Sequence, residues 1–223
     1  MAWRRFFGMI LVVLCGAAIS HAQERFDNQV RDDMFRGFAG NEAAMRNALA
    51  TIDAKLNEDP DSAEALVWRG AARYFEAGQA FRAGDATLGQ DLATSAMADM
   101  DRAISLQPKA IGVLIPRATV LLAAARYQPD PLRSRDLAAR AAADFETAFA
   151  LRQGAFDKLG QHNRGEYLSG LAESWALAGD KVAAERYLQR IVSELPNTRY
   201  ADRAAAKLAN WNDRRALNCQ SCH

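Results

Sequence analysis

Large apolar residues recur at helical spacing along most of the chain, and short polar or Gly- and Pro-containing stretches interrupt them. The pattern is clearest over residues 168–196. Leu168, Leu171 and Trp175 share a face with the small Ala172, Gly179-Asp180 breaks the run, and Ala184, Leu188 and Ile191 then share a second face before Pro196. That pattern predicts two antiparallel helices joined by a tight turn. Two helices approach closely only where side chains are short, and larger ones fill the space on either side.

Similar runs precede it. Val30, Met34 and Phe38 predict a short helix closed by Gly40. Asn41 is placed to cap a second helix, in which Ala44, Ala48, Ile52 and Leu56 share a face until Asp59-Pro60. Asp61 with Glu64 predicts a capping-box start for a helix carrying Leu66 and Gly70. Arg69 and Arg73 interrupt its apolar face and are expected to carry their charged ends past the neighbouring helix. Residues 78–94 read as a polar break, after which Ala96, Met100 and Ala103 share a face before Pro108. Leu114, Ala118 and Leu121 follow, with Pro116 in the first turns; 127–131 read as an extended break, and Ala141, Phe145 and Ala148 form the next stripe. Residues 152–166, with Gly154, Gly160 and Gly165, are expected as a loop. A closing helix over 198–212 carries Tyr200, Ala204, Leu208 and Trp211.

The order of large and small residues in the stretches that begin at Leu66, Leu114 and Leu168 resembles the tetratricopeptide repeat (TPR) family. The resemblance implies an all-α, helix-hairpin (TPR-like) solenoid of about three repeats over residues 29–212, with N- and C-terminal capping helices. A plain helical bundle is the alternative. The family period is about 34 residues, whereas Ala96, Ala141 and Ala184 are 45 and 43 apart. The excess is expected in the turns inside the first two repeats and in the linker before the third.

A stack of helical hairpins has no chemistry of its own, and the resemblance implies that its inner groove binds a protein or peptide partner. The groove would be lined by Val67, Ala71, Tyr74 and Phe75, then Ile115, Thr119 and Leu122, then Ser169, Glu173 and Leu177. This set is mostly apolar with one carboxylate, which suits an amphipathic helix or a hydrophobic peptide. The same stripe would serve equally as interhelical core. The Lys and Asn pairs with which some family members clamp a terminal carboxylate are absent from these positions.

Residues 1–22 change the setting. Arg4 and Arg5 precede an apolar run from Phe6 to Ile19, and Ser20-His21-Ala22 offers small residues for cleavage. The run is short for a membrane span. A cleaved bacterial Sec-type leader, a periplasmic or secreted location and no stable membrane anchor are expected; a retained anchor is the alternative. Loss of Arg4 and Arg5 takes the chain from 28 basic and 27 acidic residues to 26 and 27, a formal charge of −1. Near-neutrality gives no support for a nucleic-acid partner. The chain carries no nucleophile elbow, phosphate loop or His-Glu zinc-helix motif, so a non-enzyme is expected.

The tail, residues 213–223, ends in Cys219-Gln220-Ser221-Cys222-His223. This C-x-x-C-H resembles the attachment site of c-type cytochromes. The resemblance implies a covalent haem c, with both thiols joined to the macrocycle and His223 as proximal iron ligand. An export signal agrees with attachment outside the cytoplasm. The distal ligand could come from His162, Met34, Met45, Met97 or Met100, from a partner, or be absent. The function expected is therefore a periplasmic TPR scaffold or assembly factor carrying haem c. Two alternatives remain open: an electron-transfer protein whose repeats only dock a redox partner, and a plain interaction protein whose tail thiols form a disulfide or hold a metal.

Overall fold

The computed structural model describes residues 25–213, 215 and 217. The expected leader, residues 1–22, and the tail cysteines with His223 lie outside that range. The chain is all-α: nine α-helices, one 3-10 helix and no strand occur among the described residues. They are α1 (Asp27–Phe38), α2 (Glu42–Glu58), α3 (Ala63–Arg82), α4 (Ala86–Leu106), α5 (Ile111–Tyr127), α6 (Pro131–Arg152), a 3-10 helix (Gln153–Lys158), α7 (Gln161–Ala178), α8 (Lys181–Glu194) and α9 (Arg199–Ala209). None of these helices is long and apolar enough to cross a membrane.

The helices pair in chain order, α1 with α2, α3 with α4, α5 with α6 and α7 with α8. Helices α1, α3, α5 and α7 also pack on one another in succession, and each even-numbered helix meets the helix that follows it. A common device closes every hairpin. Asn41, Asp85, Asp130 and Asp180 cap α2, α4, α6 and α8, each carboxylate or amide oxygen accepting a first-turn backbone N–H. In three of the four turns the preceding glycine holds a left-handed backbone, with φ of 98° at Gly40, 84° at Gly84 and 94° at Gly179.

The small positions do what their size predicts. A Cβ on Gly70 would lie 2.9 Å from the Ala96 carbonyl oxygen and 2.8 Å from the Met100 side chain, so α3 and α4 touch backbone to side chain there. Ala96, Met100, Ala141, Leu168, Leu171, Ala184, Leu188 and Ile191 are all buried. Two core clusters result, one centred on α1–α4 and one on α5–α9, with Met97 and Ile104 packed against both.

Several expectations are corrected. Residues 78–94 are helical except for the turn at 83–85, because Asp85 caps α4 and the buried Ala77 and Ala80 continue the apolar face of α3. The break at 127–131 shrinks to 128–130, since Pro131 opens α6, where its missing N–H costs nothing. The loop at 152–166 is mostly helix: α6 runs to Arg152, the 3-10 helix follows and α7 begins at Gln161. Most of the excess in the 45-residue spacing is helix and not turn, since α6 has ten residues ahead of Ala141 where α8 has three ahead of Ala184. Asp61 forms no capping box. Ser62 precedes α3, and Glu64 instead accepts the backbone N–H of Asp27 at 3.0 Å and an Arg25 guanidinium contact at 3.5 Å, tying α1 to α3.

Arg69 and Arg73 do not run past the neighbouring helix into water. Both pair with Asp99 of α4, Arg69 through two bonds of 2.7 and 2.8 Å and Arg73 at 2.6 Å. The next hairpin repeats the device more deeply: Arg117 on α5 bonds Asp144 on α6 at 2.6 Å, each only 7% exposed, and reaches Asp101 at 2.8 Å. Burial pushes the Asp144 carboxyl above its ordinary range, and the Arg117 charge opposes that shift. In the last hairpin Leu171 and Tyr187 take the corresponding positions, and Tyr187 donates instead to Glu146 of α6 at 2.6 Å.

Asp144→Ala leaves Arg117 buried without its closest partner and is expected to cost about 3 kcal/mol; calorimetry of the double variant Arg117→Met, Asp144→Leu should recover most of that loss. Burial and the bond to Glu146 push Tyr187 up to about 12. The folded state thus holds that proton more tightly than the unfolded state, whose tyrosine titrates near its ordinary 10. The associated stability is present below pH 10 and is lost as pH rises toward 12. Denaturant titrations across this window should show a decline that Tyr187→Phe reduces.

Candidate functional site

The residues expected to line a groove divide into two sets. Val67, Ala71 and Leu122 are buried, at 0–5% exposure, and belong to the interior, whereas Ser169, 1% exposed, is enclosed together with Leu217, whose carbonyl accepts its hydroxyl. Tyr74, Phe75, Ile115, Glu173 and Leu177 are half-buried and Thr119 is exposed. The division follows from helix geometry. In a stack the odd-numbered helices pack on one another, so the stripe facing the next helix is enclosed and only the residues beside it stay at the surface. Phe75 is further covered by α1, its ring 5.1 Å from that of Phe38. Tyr74 is shielded enough that burial raises its phenol above its ordinary range.

One polar group organises the C-terminal part of this face. Glu173 on α7 receives Arg126 of α5 through two bonds of 2.5 and 2.6 Å, both side chains about 15% exposed. The planar guanidinium matches the carboxylate fork, so the pair fixes α5 against α7. Sequence reading found Glu173 but not Arg126. The partners are 47 residues apart, and no local signal links them.

The chain returns to this face after its last helix. Lys207 donates to the carbonyls of Trp211 at 2.6 Å and Asp213 at 2.7 Å, closing the turn that follows α9. Its ammonium and that of Lys181 lie over the Trp211 ring, 5.1 and 5.2 Å from its centre. Leu217 is then buried in the C-terminal core cluster. Its N–H donates to Glu173 Oε2 at 3.4 Å and its carbonyl accepts from the Ser169 hydroxyl at 3.3 Å. Leu217 therefore lies against α7 with its carbonyl toward the helix's first residues.

A second polar group stands at that end. Tyr200 donates to Glu166 at 2.7 Å and meets His162 Nδ1 at 2.9 Å. Of the other ligands considered for iron, Met34 and Met100 are fully buried, and Met45 and Met97 are half-buried against the N-terminal core. All four lie at apolar helical positions and serve as packing. Among the described residues no group of three His, Cys, Asp or Glu side chains could hold a metal ion. Cys219, Cys222 and His223 lie outside those residues.

No protein-family model, curated protein or solved structure matches this chain. Lys207→Ala removes both carbonyl bonds from the turn after α9. Trypsin is expected to cut after Arg215 roughly tenfold faster in that variant, because cleavage follows local opening, while fragments from within α8 appear no sooner than in the wild type; intact-mass analysis reads both.

Proposed function

We propose that the chain is a TPR-like scaffold or assembly factor, acting outside the cytoplasm, that grips a protein partner through the face formed by α3, α5 and α7. The observation that carries this reading is the succession of capped hairpins whose odd-numbered helices lie side by side. Such an arrangement turns a row of equivalent positions into one continuous surface. Phe75, Ile115, Thr119 and Leu177 supply its accessible contacts, with Tyr74 and Glu173 as polar points. No catalytic constellation is assigned, and the proposed role is binding.

Cys219, Cys222 and His223 of the C-x-x-C-H motif would hold a haem c, the two thiols joined to the macrocycle and the imidazole bound to the iron. A bound haem would supply a one-electron couple, which supports a second reading, an electron-transfer protein whose repeats dock a redox partner.

Two measurements separate these readings. Crosslinked capture from an exported-protein extract should fall at least about tenfold with Thr119→Glu combined with Leu177→Glu, and should survive Cys219→Ser with Cys222→Ser if binding is the primary role. Capture that ignores the first pair and is abolished by the second contradicts the scaffold reading. Intact mass of chain exported alongside a haem-ligation system should show one haem per chain, lost in the cysteine variant. Two tail cysteines joined to each other without an adduct would refute the haem assignment.

A further inference from the structure

Leu217 is bound to α7 in the way a peptide is bound by a receptor. Its side chain is 4% exposed within the C-terminal cluster, its N–H faces Glu173 and its carbonyl takes the Ser169 proton. Ser169 is itself 1% exposed, so its hydroxyl is a buried donor directed at a backbone carbonyl. Glu173 is held in place by Arg126 rather than by the tail. The receptor side would therefore persist without its occupant. Nor is the tail a continuation of secondary structure: α9 ends at Ala209, and the Lys207-bound turn separates it from Leu217.

We propose that Ser169 and Glu173, with the apolar recess that holds Leu217, form a site for an extended segment with a leucine-sized anchor, and that the chain's own tail occupies it as a tethered competitor. This deepens the reading of the α3–α5–α7 face as a partner-binding surface and rests on it. The resident segment identifies the ligand chemistry. One donor and one acceptor on α7 read the backbone on both sides of a single side chain, which selects an extended conformation, because a helical segment has already paired those groups. The anchor is aliphatic. A cationic anchor is disfavoured, because Arg126 already neutralises Glu173.

The tether sets the terms of exchange. A short flexible connection gives the tail an effective concentration in the millimolar range. An external segment offering only the same leucine therefore does not displace it at ordinary concentrations. A partner must also reach further contacts on this face, such as Leu177 one turn beyond Glu173. Displacement frees Leu217, so capture of a partner and release of the tail's anchor become one event.

The test uses the full chain and a capped peptide of its own sequence over residues 212–218, followed by amide and side-chain resonances of Arg126, Ser169 and Glu173. Leu217→Asp ejects the resident side chain, and Leu217→Ala weakens it more gently should the aspartate variant fail to fold. Peptide added to millimolar concentration is expected to shift these resonances in either variant and to do so at least about tenfold less readily in the wild type, where the tether competes. A peptide that shifts no variant, or shifts wild type and variants alike, overturns the proposal. Because no partner is needed, this failure is separate from failure of the scaffold reading, which the capture experiment with Thr119→Glu and Leu177→Glu decides.

Discussion

Close approach of the two helices in each hairpin is the constraint on which the remaining structure depends. At Gly70 a methyl group would strike the Ala96 carbonyl, so α3 and α4 pack at a separation that leaves room only for small residues. Such packing is unforgiving in register, because a slip along either helix brings a large side chain to the contact. Arg69 with Asp99 and Arg117 with Asp144 lie beside these contacts, one helix supplying the cation and the other the anion. A buried pair of this kind is a poor source of net stability, since desolvation offsets much of the attraction. Its value here is positional: a slipped hairpin would leave both charges buried and unpaired. In the last hairpin Leu171 and Tyr187 fill the same positions, and the ordering role passes to the Tyr187 bond with Glu146.

Wherever periodicity was strong, the sequence was legible. The stripes through Ala44 to Leu56, Ala96 to Ala103 and Ala184 to Ile191 are buried as their spacing requires, and the turns at Gly40-Asn41 and Gly179-Asp180 lie where those residues place them. Legibility failed where composition suggested a break but capping decided otherwise. Gly84-Asp85 uses the same device as Gly179-Asp180, yet the surrounding Gly, Thr and Gln residues hid it inside an apparently polar stretch. Arg69 and Arg73 were misplaced for a different reason. An arginine on an apolar face can escape to water or find a buried carboxylate, and only the neighbouring helix determines which.

The face itself was half legible. A stripe of apolar residues on successive helices locates a surface without separating the part that faces water from the part that seals one helix to the next. Tyr74, Phe75, Ile115, Thr119, Glu173 and Leu177 keep some accessibility, whereas Val67, Ala71, Leu122 and Ser169 are enclosed. Arg126 and Leu217 carried no signal at all, because both act through long-range contacts with α7. Their arrangement links two features that looked unrelated in the sequence: a repeat surface and a short tail. Leu217 ties the tail to the face, and Cys219 follows two residues later, a span of at most about 7 Å.

Amide hydrogen exchange of the intact protein, resolved at Leu217, tests this linkage most directly. The account expects the Leu217 amide to exchange far more slowly than in an unstructured peptide, and to lose that protection in Glu173→Ala while α8 keeps its own. Exchange of Leu217 at the unstructured rate, with α7 and α9 still protected, would contradict it.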